Sequence, residues 1–429
     1  MSAAGSLTPA LARFVAGTDP GSDTAAPALA MLRLSLHDWA ACGIAGRDEP
    51  VARLTRQMVL DEAGRGEAAL IGGGRAPARG AALVNGATSH ALDYDDTHFG
   101  HIGHPSVAIL PAALAVAERQ GASGKALIEA ALIGEELSIR VGQWLGRGHY
   151  QIGFHQTATA GAFGATAAAG RLLGLDAPAL EMALGLVATR AAGLKAEFGT
   201  MGKPYNAGIA AQAGVEAALL AAAGFVARPD ALEAGFGPTH HGAADLSALD
   251  GLGRDWRFLG ISHKFHACCH GLHAMLEALA GQDGAGVEAV EIATNPRWLT
   301  VCNIAEPATG LEAKFSYRLT AAMALAGRST GALDSFTDAA CHDPELVALR
   351  DRVQVTGDAN LAETEARVRL TGVRPRELHH DLTAPLSFED RAAKLRAKAR
   401  ALLGDAAEAR LWEVTQGTAE PAALAACLG

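Results

Sequence analysis

Apolar positions in the first 260 residues recur at helical spacing. Val107, Leu110, Leu114 and Ala117 are separated by steps of three and four, which places them on one helix face. Residues 157–175, 177–194 and 207–225 are long, rich in Ala and Leu, and poor in β-branched runs. Ala carries the strongest intrinsic helix preference, so the pattern predicts helices in all three. Glu, Arg and Lys interrupt such stretches, which points to buried helices of a multihelical domain and away from membrane spans. The many Gly and Ala residues inside them imply helix axes that approach closely.

The period changes after about residue 283. Residues 282–286 read as a turn-like linker. Val287–Thr294 then alternates around Glu288, Val290, Glu291 and Ile292, and 352–356 and 365–371 also read as short strands. A helix is predicted over 316–326. Helical character returns at Ser387, where Ser387 and Asp390 form a start signal and Gly404 a stop. The fold class expected is mainly α. A large multihelical domain covers residues 1–265 and 388–429, and a smaller α+β domain, 266–387, is inserted before the C-terminal helices.

Composition narrows the function. The chain has 429 residues, 49% apolar and 19% charged, with a formal net charge of −10. The apolar fraction is too high for a disordered chain. No run of about 18 uncharged apolar residues occurs, so no membrane partner is expected. Scattered Lys and Arg on a net-negative chain argue against nucleic acid. The six cysteines include no CxxC pair, and the vicinal Cys268 and Cys269 read as core packing rather than zinc ligands. Residues 1–20 lack a basic region followed by an apolar one. Together these features suggest a cytoplasmic protein.

The densest polar cluster spans residues 90–106. It holds His90, Asp93, Asp95, Asp96, His98, His101 and His104, and Pro105 and Ser106 then open an apolar helix. Such a cluster brings general bases and cationic donors together, and a helix start favours an anion. His98, His101 and His104 are spaced by three, as metal ligands on a helix would be. Gly100, Gly103 and Pro105 break helix geometry there, so no metal is expected. Further candidates are His155 at a helix start, the glycine-rich Gly199–Thr200–Met201–Gly202–Lys203–Pro204 stretch, and Lys264 among imidazoles in residues 263–273. Pro204 stands where a nucleotide-binding loop needs Ser or Thr. No G-x-G-x-x-G follows a strand and no G-x-S-x-G elbow occurs.

These motifs, in this order, resemble the MmgE/PrpD family. The residues that carry the resemblance are Asn85-Gly86-Ala87, His90 with Asp93-Tyr94-Asp95-Asp96-Thr97-His98, and His104-Pro105-Ser106. Gly153-Phe154-His155 follows, then Gly199-Thr200-Met201-Gly202-Lys203-Pro204, then Lys264-Phe265-His266-Ala267-Cys268-Cys269, and last Ala313-Lys314-Phe315-Ser316-Tyr317. The resemblance implies a helical domain with an α+β lid, a homodimer, and a site between domains. It implies a small di- or tricarboxylate substrate and neither metal nor organic cofactor. It places active-site residues at Asp93, Thr97, His104, His155, Lys203, Lys264 and Tyr317, with Thr97 a substrate contact and the others catalytic; His98, Thr200 and His266 beside them are further expected substrate contacts. The segment between Thr97 and His104 is one residue longer than in the decarboxylase pattern. The lysine motif differs from the decarboxylase and dehydratase forms. The resemblance therefore assigns the family and not the substrate.

One chemistry suits these residues. Lys203, Lys264 and protonated His neutralise a polycarboxylate, and Asp93, or else His155, removes a proton beside a carboxylate. The expected activity is a cofactor-independent lyase working by β-elimination, most simply a dehydratase. Epimerase, isomerase or decarboxylase chemistry would use the same groups. A non-catalytic carboxylate-binding protein is the reading from another class.

Overall fold

The computed structural model describes residues 7–429, so the first six residues of the 1–20 stretch lie outside it. The chain divides into two compact units. One is residues 7–263 with Leu403–Gly429, and the other is Lys264–Leu402. The fold is mainly α. The helix Phe388–Leu403, expected with the helical domain, falls in the second unit.

The first unit is built on helices Ala78–Ser89, Ser106–Gln120, Gly124–Ile152, Gln156–Leu172 and Gly202–Ala222. Gln156 through Gly170 are all buried, which explains why that helix is apolar on every side. The small residues do what their number implies. A Cβ on Gly86 would lie 2.8 Å from Gly208 Cα, and one on Gly134 would lie 2.7 Å from the Gly164 carbonyl oxygen. Helix Ala78–Ser89 thus meets Gly202–Ala222 backbone to backbone, and Gly124–Ile152 meets Gln156–Leu172 in the same way. The C-terminal helix Asp405–Gln416 returns to Ala26–Gly46, where Arg33 donates to the Thr415 carbonyl at 3.0 Å.

Helix ends differ from the sequence reading for local reasons. The helix expected at 157–175 stops at Leu172, and Gly174 at φ +68° turns the chain away. The helix expected from 207 begins at Gly202. Pro204 is tolerated because first-turn N–H groups have no partner inside a helix. The 177–194 stretch is helical only over Ala177–Val187. Beyond it Gly193 packs so tightly that a Cβ would meet Ala158 Cβ at 2.4 Å.

The second unit holds a four-stranded sheet. Its order is Val353–Gly357, Val287–Thr294, Glu365–Gly372, Arg376–Asp381. The first pair is parallel and the other two pairs are antiparallel. Val290, Ile292, Val368 and Leu370 point inward, as alternation requires. The edge strand Arg376–Asp381 went unread because it carries one aliphatic residue among charged and imidazole side chains, a composition that protects an exposed edge. Helices His273–Ala278 and Tyr317–Leu325 pack on the sheet. None of the six cysteines forms a disulfide, and burial pushes the Cys268 thiol up. No helix among the described residues is long and apolar enough to cross a membrane.

Candidate functional site

Four helix ends of the first unit carry the predicted cluster. His90 follows the last turn of Ala78–Ser89, and the chain then runs through a short loop to Ser106. Within that loop Asp93 adopts φ +51°, a left-handed conformation unusual for a non-glycine residue and common at functional positions. His155 sits at the start of Gln156–Leu172, and its N–H is held by the Gly193 carbonyl at 3.0 Å. Lys203 lies in the first turn of Gly202–Ala222. Thr200 Oγ1 accepts from Gly202 N at 3.0 Å and donates to Glu197, so its hydroxyl holds this turn. Helix starts present free N–H groups, which favour an anion.

The side chains converge on Asp93, whose own side chain is 43% exposed. Lys203 Nζ stands 2.6 Å from Asp93 Oδ2, and His104 Nε2 stands 3.4 Å from Asp93 Oδ1. Behind them lies Asp95, fully buried. Its Oδ1 accepts from His90 Nδ1 at 2.8 Å, and its Oδ2 is 2.8 Å from His104 Nδ1, a contact bent off the line of a straight hydrogen bond. The His90 and His104 rings are 4.5 Å apart, and His155 lies 6.2 Å from His90. Asn206, three residues after Lys203 and so on the same helix face, approaches His155 Nδ1 at 3.2 Å.

Adjacent carboxyls have opposite character here. Burial alone would raise Asp95, but the His90 and His104 imidazoles outweigh it and hold the group well below the usual carboxylate range. Asp96 is pushed up to about 7 by burial, with a hydrogen bond from Ser106 opposing and the Asp38 and Asp95 charges adding to it. Ser106 Oγ donates to Asp96 Oδ2 at 2.6 Å. Glu135, buried nearby, is raised well above its ordinary value by burial and by Asp96. Burial pushes His104 down to about 4, against the pull of Asp95. His155 is driven well below its ordinary value by burial, then by Lys203. These two imidazoles are therefore neutral at pH 7. The expectation that protonated His supplies positive charge does not hold for them, and Lys203 is the cation that stands beside Asp93.

Other candidates take different roles. His98, expected to contact substrate, holds the loop instead. Its Nδ1 accepts from His101 N at 3.0 Å and its Nε2 faces the Arg257 carbonyl at 3.0 Å, so neither nitrogen is left for a ligand. Thr97 pairs with Ser262 in a two-residue strand. His101 is buried against Ser138 Oγ at 3.1 Å. In the second unit Lys264 is buried, and His266 Nδ1 lies 2.7 Å from Thr330 Oγ1 with Nε2 3.3 Å from Glu277. Tyr317, expected to be catalytic, is fully buried there. Its hydroxyl donates to the Gly271 carbonyl at 2.6 Å and meets Thr294 Oγ1 at 2.9 Å, which commits it to the fold of that unit.

The histidines spaced by three form no common centre. Instead His90, Asp93, Asp95 and His104 have ligand-type atoms within 4.8 Å of one another. Lys203 already neutralises Asp93 at 2.6 Å and would have to leave before a divalent ion could use that carboxylate. The donor set thus fits a proton network better than a cation. Sequence reasoning missed Asp95, His90 and Asn206 as site residues. The first two lay within the acidic run but looked equivalent to their neighbours. Asn206 lay just before the expected helix start.

Comparison with known proteins identifies the family. Residues 9–246 match the MmgE/PrpD N-terminal domain and residues 266–419 the MmgE/PrpD C-terminal domain. A cis-aconitate decarboxylase-like protein, oryM, of Aspergillus oryzae is 30% identical over 64% of this chain and 61% of its own length. A cis-aconitate decarboxylase of Aspergillus terreus is 31% identical over 58% of this chain and 54% of its own. The Homo sapiens cis-aconitate decarboxylase is 36% identical over 38% of this chain and 35% of its own. The matched region spans between about a third and three fifths of these relatives' lengths. With both domains matched in order, the chain belongs to the MmgE/PrpD family.

Proposed function

We propose that this protein is a cofactor-independent lyase acting on a small di- or tricarboxylate. The observation that carries the reading is Asp93. It is a half-exposed carboxylate on left-handed backbone, paired with Lys203 and flanked by a neutral imidazole. A substrate carboxylate would draw Lys203 onto itself and release Asp93 as a base. Asp93 would then take the proton beside that carboxylate. Lys203 and the helix-start N–H groups would stabilise the negative charge that develops. A β-leaving group departs as the carbanion collapses, which is dehydratase-like chemistry. Lys264 is assigned a second neutralising charge from its motif. The homodimer, the lid role of the second unit and a cytoplasmic location belong to the same proposal.

Decarboxylation is the second reading, favoured because the relatives named above are cis-aconitate decarboxylases or similar to them. There the electron pair comes from a breaking C–C bond, and a proton donor such as His155 completes the reaction. Turnover of a citrate-, aconitate- and aspartate-like panel by Asp93→Asn, Lys203→Ala and Lys264→Ala tests the proposal. Loss of turnover in Asp93→Asn and Lys203→Ala, about 10²-fold or more, is expected. Unchanged turnover in all three would sink it.

A further inference from the structure

We propose that Asp95 and Asn206 are positioning residues that fix opposite tautomers in the buried imidazoles. His90 and His104 carry a proton on Nδ1, His104 leaves its Nε2 bare, and His155 carries its proton on Nε2. Both Asp95 oxygens stand 2.8 Å from an imidazole Nδ1, one from His90 and one from His104. A bare imidazole lone pair that close to an ionised carboxylate would be repelled, so each Nδ1 carries a proton, in a hydrogen bond for His90 and in a bent contact for His104. An ionised carboxylate only accepts, so the proton belongs to each ring. A neutral imidazole has one N–H, and His104 is neutral at pH 7. Its Nε2 is therefore a lone pair.

Asn206 imposes the reverse on His155. Its Nδ2 lies 3.3 Å from the Leu194 carbonyl, which can only accept, and this fixes which way the amide faces. The same Nδ2 lies 3.2 Å from His155 Nδ1 and donates to it. His155 Nδ1 is then the acceptor and Nε2–H the donor.

The consequence rests on the lyase reading. His104 Nε2 is 3.4 Å from Asp93 Oδ1. A bare Nε2 can receive the proton that Asp93 removes from the substrate carbon, while the electron pair stays on the substrate. The imidazolium formed lies between Asp93 and Asp95. An Nε2–H there would instead donate to Asp93 and weaken it as a base. His155 Nε2–H remains as a separate proton donor. Lys203, Asp93, His90 and His104 are the charged and titratable groups that act on His155.

The test reads tautomers directly, without substrate. The full chain is labelled with ¹⁵N-histidine, and long-range ¹H–¹⁵N correlations are recorded at pH 7, with ring assignments from single His→Gln variants. The expected pattern is Nδ1–H for His90 and His104 and Nε2–H for His155. Asn206→Asp should move the His155 proton to Nδ1 and leave the other two rings unchanged. Asp95→Asn offers one acceptor and one donor, so one of His90 and His104 should switch. In a turnover assay it should lower kcat about 10²-fold or more with KM nearly unchanged. Nε2–H on His104 in the unmodified protein, or a His155 proton that stays on Nε2 in Asn206→Asp, would overturn the proposal. If Asp95→Asn fails to fold, the other two spectra still decide. Absence of turnover on every carboxylate would count against the lyase reading alone.

Discussion

Two neighbouring residues, Asp95 and Asp96, show how burial and partners divide identical side chains. Asp95 keeps its charge because two imidazoles surround it, whereas Asp96 holds its proton to about pH 7. The sign for stability follows. Asp96 binds its proton more tightly folded than unfolded, so its contribution is fully present below the ordinary carboxylate pKa. It is lost as pH rises toward 7, a swing on the order of a few kcal/mol. Asp96→Asn should therefore melt higher than the parent at pH 8, and its melting temperature should depend less on pH between 4 and 7. A pH series of thermal melts checks both. At this scale residue type and motif order singled out Asp93, His104, His155 and Lys203, which the fold brings close together. The sequence could not separate Asp95 from Asp96, because that difference arises from the left-handed turn at Asp93 and from which groups close around each carboxyl. It misjudged His98 because the carbonyl that engages it belongs to Arg257, 159 residues away.

At the scale of elements, close helix crossings hold the site's scaffold. Helix Ala78–Ser89 ends at His90, and Gly202–Ala222 begins beside Lys203. They touch at Gly86 and Gly208, where a Cβ on Gly208 would lie 2.4 Å from the Leu83 carbonyl oxygen. Backbone cannot yield as a flexible side chain can, so Gly208→Ala should cost about 1–3 kcal/mol by overpacking. It should also lower turnover by shifting Lys203 from Asp93. Denaturant unfolding gives the first number and kcat the second. A variant at Gly224, where φ is +86° but nothing lies within 4 Å of a Cβ, provides a comparison in which strain acts without a packing clash. The small-residue pattern was legible as helices that approach closely. Which glycines face which was not, because Gly- and Ala-rich helices look alike on every side. The polar edge strand Arg376–Asp381 escaped for the complementary reason, since its pairing comes from backbone and its side chains carry no apolar alternation.

For the whole molecule, two matched domains and a network built on protons frame the account. The family assignment was legible because it rests on ordered motifs spread over nearly the whole chain. The proposed metal-free chemistry predicts that prolonged EDTA treatment leaves both the melting temperature and turnover unchanged. A loss of either that zinc restores would instead make His90, Asp93, Asp95 and His104 ligands. The proposed homodimer predicts a sedimentation mass of two chains. The most direct test of the central claim is proton NMR in D₂O, with EDTA-treated protein and a panel of citrate-like, aconitate-like and aspartate-like carboxylates. The account predicts that a vinyl signal appears or disappears with one member of the panel, with CO₂ released if the leaving group is a carboxylate. Deuterium exchange into a substrate that is otherwise unchanged would contradict the lyase and point to an epimerase. Tight binding with neither exchange nor a new compound would contradict catalysis itself.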